Sequence, residues 1–136
     1  MLYEMYLDGK KLPVLPENQK EKCSRDNKKY DVLNLGEVVR PGKRKLRQWN
    51  ISSVFYGDEE YSPDAYRQHL EQLLEKEVPV EFIYHRYQED GAIAFQTKNV
   101  DVVVESLEFE DREGEPATLY FTVKLLEYRP FGAVVL

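Results

Sequence analysis

The sequence predicts a mainly β (α+β) domain, an antiparallel β-sandwich or open barrel with one flanking α-helix. Three observations carry this. Leu119, Phe121, Val123 and Leu125 alternate with Tyr120, Thr122 and Lys124, the period of a strand with one buried face. Residues 47–55 alternate in the same way and direct Trp49, Ile51 and Phe55 inward. One amphipathic segment near the middle separates two groups of strands and does not alternate with them, which argues against a parallel α/β fold.

The elements follow in chain order. Residues 3–7 read as a short strand and Asp8-Gly9 as a turn. Leu12-Pro13-Val14-Leu15-Pro16 reads as an extended edge segment, because its two prolines exclude a helix and a central strand. Residues 17–29 are rich in Lys, Glu and Asn and read as a weak strand or a mobile excursion. Alternation returns over residues 30–35, and residues 36–42 read as a bend entering a Pro41-Gly42 turn. The helix opens at Ser62 as N-cap, with Pro63 at its first position and Asp64 at the positive end of the dipole. Tyr66, Leu70, Leu73 and Leu74 form its apolar stripe, and Pro79 stops it. Residues 80–87 form a strand, residues 88–91 a turn, and residues 92–96 return antiparallel. A longer pair, residues 100–109 and 118–128, flanks an acidic connection over 111–116. The run Tyr128-Arg129-Pro130-Phe131-Gly132 then ends the last strand.

A chain of 136 residues is expected to form a single domain, 1–136, around one core. Cys23 is the only cysteine, so no intrachain disulfide forms and a reducing compartment is the simpler expectation. The first residues carry no basic, apolar leader and no apolar run reaches membrane length, so a soluble, untargeted protein is expected. Charge is uneven. The first fifty residues hold 12 Lys/Arg against 7 Asp/Glu, and the remainder 7 against 18. Such asymmetry suits copies that meet head to tail.

Reaction chemistry is hard to find in these residues. His69 and His85 lack the spacing of a helical zinc pair, and no cysteine cluster completes one. The glycines are scattered and make no phosphate-binding loop, and the acidic runs lack a calcium-loop pattern, so neither a cofactor nor a metal is expected. No two carboxylates stand out as an acid–base pair. The basic stretch Arg40, Lys43, Arg44, Lys45 and Arg47 is the one polyanion candidate, with Trp49 as a stacking ring. It supports the alternative of an autonomous module for nucleic acid or a cell-wall glycan. With a net charge of −6, a charged loop that meets an acidic surface on a neighbouring subunit is the preferred reading.

Three segments together resemble a family. Leu12-Pro13-Val14-Leu15-Pro16, Leu33-Asn34-Leu35-Gly36-Glu37-Val38 and Val78-Pro79-Val80-Glu81-Phe82-Ile83 with Arg86 are similar to the N-terminal domain of phage baseplate proteins that carry a C-terminal LysM module. Tyr128-Arg129-Pro130-Phe131-Gly132 resembles that domain's close, where the LysM linker begins. The resemblance implies a non-enzymatic part of a contractile tail, R-type bacteriocin or defective prophage particle, near the junction of tube, hub and baseplate. It also implies a β-rich fold related to tail-tube and hub domains, assembled in the host cytoplasm into an oligomeric particle. The chain ends at Leu136, directly after the closing motif, so the LysM module is expected to be absent from it. The candidate interface comprises Pro13 and Pro16 on the extended arm, Arg40, Lys43, Arg44, Lys45 and Arg47 on the basic turn, and Tyr128, Arg129 and Phe131 at the end.

Overall fold

Strands whose alternate residues are large and apolar must bury one face, and five of them do so together here. The computed structural model describes residues 3–11, 18–57 and 62–130. Among the described residues nine strands and one helix run in the order β1 (Tyr3–Leu7), β2 (Lys10–Lys11), β3 (Asn18–Lys22), β4 (Lys28–Val32), β5 (Gly36–Arg40), β6 (Gln48–Phe55), α1 (Pro63–Glu75), β7 (Val80–Tyr87), β8 (Ile93–Glu110) and β9 (Leu119–Glu127). Seven strands form one sheet in the order β2-β1-β7-β8-β9-β6-β3, and β4 with β5 forms a separate pair. Every pairing is antiparallel.

The sheet is open, with β2 and β3 at its edges. It curls strongly all the same. Trp49 on β6 and Phe82 on β7 belong to strands three places apart, which a flat sheet would hold roughly 14 Å apart. Their rings meet edge-on at 5.7 Å between centroids. The inner face therefore wraps around its own core, the open-barrel form of the expected architecture, and no second sheet packs against it among the described residues.

The core contains Met5 and Leu7 of β1, Trp49, Ile51 and Phe55 of β6, Val80, Phe82 and Tyr84 of β7, Val102 of β8, and Leu119, Phe121, Val123 and Leu125 of β9. The helix closes it with Tyr66, Leu70 and Leu73. Tyr66 packs against Phe55 at 4.6 Å and Phe121 at 5.8 Å between ring centroids. Ser62 caps the helix as expected, its Oγ accepting the Ala65 amide at 3.1 Å. Leu74 departs from expectation, since it is 44% exposed. His69 takes the buried place instead, edge-on to Tyr66. Three residues separate the helix end at Glu75 from Pro79, so the chain leaves helical geometry before the proline.

Two strand expectations change. The expected strands 92–96 and 100–109 are, from Ile93 on, one strand, β8, which pairs with β7 along its first half and with β9 along its second. The polar Thr97 in its middle is held by the ring Nδ1 of His85 at 2.9 Å. Apolar positions on β8 change parity, from Val100, Val102 and Val104 to Leu107 and Phe109, because a register shift between Val104 and Ser106 inserts one residue. The second change concerns residues 17–29 and 36–42. Residue 17 lies outside the described residues. Residues 18–22, 28–32 and 36–40 form β3, β4 and β5, and the tight turn lies between β4 and β5, where Asn34 (φ 67°) and Gly36 (φ 88°) adopt the left-handed region. At the start of the chain Asp8-Gly9 makes the expected turn, with φ 54° and 78°.

Burial holds the His69 imidazole well below its usual range, to about 4, helped by nearby Lys10 and Lys76 and opposed by Asp8. A histidine kept neutral by the fold contributes stability above its unfolded pKa, near 6.5, and loses it as pH falls toward 4. Thermal melts of wild type and His69→Gln between pH 7 and pH 4 are expected to diverge, wild type losing several more degrees.

Candidate assembly interface

The most exposed part of the described chain is a ribbon that leaves the sheet at its β3–β6 edge. β3 pairs with β6 as far as Lys22 and Gln48, a bridge joins Arg25 to Arg44, and β4 pairs with β5 from Lys28–Arg40 to Val32–Gly36. These three pairings form one interrupted hairpin. In each gap the returning strand holds one more residue than the outgoing strand, so the ribbon carries two bulge-like irregularities. Ten or so residues of extended chain reach roughly 33 Å from the sheet to the tip.

At the waist the backbone is tightly packed. The Asp26 amide donates to Lys43 O at 2.9 Å, and the Lys45 amide to Ser24 O at 2.9 Å. The Gly42 amide donates to Asn27 Oδ1 at 2.9 Å, while Arg25 donates from Nε and an η nitrogen to Gly42 O at 3.1 and 3.0 Å. A Cβ at Gly42 would fall 1.6 Å from Asp26 O, so only glycine fits. Pro41-Gly42 is therefore a close-packed contact between the two strands of the ribbon, in place of the turn expected from sequence.

The outer part of this arm is apolar and uncovered. Directly paired residues share a face, so Tyr30, Val32 and Val38 lie on one side, while Lys29, Val39, Asp31 and Glu37 lie on the other. Leu33 is 89% exposed and Leu35 70% at the tip, beside Tyr30, Val32 and Val39, which are also exposed. A two-stranded ribbon wet on both faces is marginal alone. An apolar tip without a neighbour marks an interaction surface.

The expected interface residues divide. Lys43 and Arg44 of the basic stretch and Arg129, distant from them in sequence, line one shallow groove of about 700 Å³, together with Cys23, Ser24 and Arg25. Arg40 and Lys43 line an adjoining groove of about 550 Å³ with Lys28 and Tyr30. Arg44 and Arg47 are engaged in holding the arm. Arg44 donates to Glu127 Oε1 at 2.5 Å, the same oxygen accepts the Arg47 amide at 2.9 Å, and the Arg47 guanidinium lies 3.8 Å from Glu21. The Arg44 hydrogen bond holds the Glu127 carboxyl below its usual range, against a weaker opposing effect of burial. Among the described residues, Lys43, Lys45, Arg40 and Arg129 make no ion pair. Tyr128 is half exposed, and its amide donates to Asp101 O. Pro13, Pro16 and Phe131 lie outside the described residues. Trp49 is 1% exposed, so it offers no stacking face to a nucleic acid.

Sequence reasoning missed Tyr30, Val32, Leu33, Leu35, Val38 and Val39. The available signal was the left-handed-tolerant Asn34 and Gly36 between two short β-prone runs. Among the described residues no cluster of His, Cys, Asp or Glu has metal-binding geometry, and no helix is long and apolar enough to cross a membrane.

No protein-family model matches the sequence, and neither does any curated protein. Solved structures do match in shape. The tube-terminating cap of the anti-feeding prophage aligns over 93% of this chain and 84% of its own, with TM-score 0.61 and 14% identity. A chain of the sheath–tube complex of the PVC extracellular contractile injection system aligns over 94% and 85%, with TM-score 0.61 and 15% identity. The Dit protein of phage SPP1, described as a hub adsorption apparatus, aligns over 96% of this chain but 51% of its own, with TM-score 0.62 and 16% identity. The chain thus shares the fold of these tail and hub proteins. It spans about half of the Dit protein.

Because nothing in the described core packs on the tip, a Leu33→Asp/Leu35→Asp double variant is expected to melt like wild type, within about 0.5 kcal/mol. Chemical denaturation of the two proteins checks this. A larger loss would mean that the tip is packed within the chain.

Proposed function

We propose that this chain is a structural, non-enzymatic subunit of a phage-like contractile tail, where it joins tail tube, hub and baseplate subunits through protein–protein contacts. The observation that carries the reading is the arm, an apolar-tipped ribbon with a cationic waist and no cover among the described residues. Its shared fold with a tube cap, a sheath–tube complex chain and a phage hub protein supports the same reading. On this account residues 1–136 act as one β-rich domain, assembled in the host cytoplasm and carried in the particle. The sequence resemblance to LysM-bearing baseplate proteins supports a position near the tube–baseplate junction, and on this reading peptidoglycan binding is no role of these residues.

The contact residues differ from a simple list of basic positions. Leu33, Leu35 and Tyr30 supply desolvation, and Arg40, Lys43, Lys45 and Arg129 supply orientation at the rim. Arg44 and Arg47 act indirectly by fixing the arm to Glu127 and Glu21.

Co-expression with the tube, hub and baseplate proteins of the same particle tests the proposal. Wild type is expected to co-elute with at least one of them, and the Leu33→Asp/Leu35→Asp variant to lose at least about tenfold in affinity, as truncation of an interface anchor does. A wild-type chain that binds none of them would overturn the reading.

A further inference from the structure

The charge asymmetry read along the sequence becomes a spatial polarity in the fold. Residues 18–47, which form β3, the arm and the start of the return, hold ten Lys/Arg against four Asp/Glu. Residues 105–115, the end of β8 and the connection to β9, hold six carboxylates against one arginine. The connection over 111–115 lies at one end of β9 and the waist at the other, with Glu108 opposite Thr122, three residues in from the acidic end, and Glu105 back beside Leu125. Leu119 begins that strand next to the acidic connection, and Glu127 ends it in the hydrogen bonds of Arg44 and Arg47. The strand separates the two poles by roughly 27 Å, more than twice the screening length near 0.1 M salt. Their attraction within one molecule is therefore screened out, and both remain available.

The two poles also carry unspent charge. At the basic pole Lys43 and Arg129 line the waist groove and make no ion pair among the described residues. At the acidic pole Glu108, Asp111 and Glu113 are exposed and pair with no cation among the described residues. Glu110 and Glu115 are engaged differently, with Arg112 and with the Tyr120 hydroxyl. Apolar surface accompanies each pole. The arm tip extends from the basic one, and Tyr56, 62% exposed, follows β6 at the acidic one.

Resting on the reading of this chain as a structural subunit, we infer that the waist groove receives the acidic β8–β9 connection of a second copy. Lys43 and Arg129 of one protomer then meet Glu108, Asp111 and Glu113 of its partner, and the arm lies along the partner toward its exposed Tyr56. Both halves of the contact belong to this chain, and its net charge of −6 opposes a nucleic acid in the same groove. Two different surfaces meet, so the contact is heterologous and repeats from copy to copy, into a ring or a stack.

Sedimentation velocity on the full chain and two charge-reversed variants, Lys43→Glu/Arg129→Glu and Glu108→Lys/Asp111→Lys/Glu113→Lys, tests this. Wild type is expected to self-associate at about 0.05 M salt and to weaken at about 0.5 M. Each variant alone is expected to lose at least about tenfold in self-affinity, and an equimolar mixture of the two to regain association. Should either variant fail to fold, carbodiimide coupling on an isotope-labelled mixture of wild-type chains gives the same answer. It is expected to join Lys43 of one copy to Asp111 or Glu113 of another. A wild type that stays monomeric at low salt, variants that associate like wild type, or an inert mixture would each overturn the inference. Co-elution with other tail proteins is measured separately, so a chain that binds them but not itself loses this inference alone.

Discussion

The structure turns on where β9 stops. Through Glu127 it lies beside β6 and gives the β3–β6 edge a third strand and a buried face. Beyond it the Tyr128 amide turns to Asp101, and the strands on either side of the arm run on as a pair. Two strands without a third cannot bury both faces, so Tyr30, Val32, Leu33, Leu35 and Val39, placed beyond that point, stay exposed among the described residues.

Glu127 also holds the base of the arm. One carboxylate accepts from the Arg44 side chain and the Arg47 backbone, and so fixes the returning strand against the sheet. This divides a stretch of basic residues into two kinds. Arg44 and Arg47 are consumed by Glu127 and Glu21, whereas Lys43 and Arg129 face an open groove. The arm is thus directed at its base and free at its tip, an arrangement suited to gripping a neighbour. The curled core, with Trp49 against Phe82 and Tyr66 between Phe55 and Phe121, supplies the rigid body from which it projects.

What could be read from sequence was what buries one face. β6, β9 and the helix each alternate against a core, so Trp49, Ile51, Phe55, Tyr66 and Leu125 were placed by period alone. Ser62 and Pro63 marked the helix start through local capping chemistry. The arm escaped for the opposite reason. Both its faces are wet, so Lys28, Lys29 and Arg40 interrupt any alternation, and nothing in a window of a few residues distinguishes such a strand from a polar loop. β8 was divided at Thr97-Lys98-Asn99, whose polar side chains read as a break, although Lys98 and Asn99 stay in the strand by pairing with Tyr84 and Ile83 of β7. His69 was hidden because a histidine on a helix carries no signal of burial. The meeting of Lys43 with Arg129 depends on tertiary structure, and only their residue type, favoured at interfaces, pointed toward it.

The claim on which this account depends is that the arm is complete in fold but unsupported in the isolated chain, and is covered on assembly. Amide hydrogen exchange over residues 28–40 measures this directly, compared with β6 and β9 in the same molecule. The account predicts rapid exchange in the arm of the isolated chain against slow exchange at Ile51 and Val123, and strong protection of the arm in the assembled particle. Arm amides as protected as the sheet in the isolated chain, or unchanged by assembly, would contradict it.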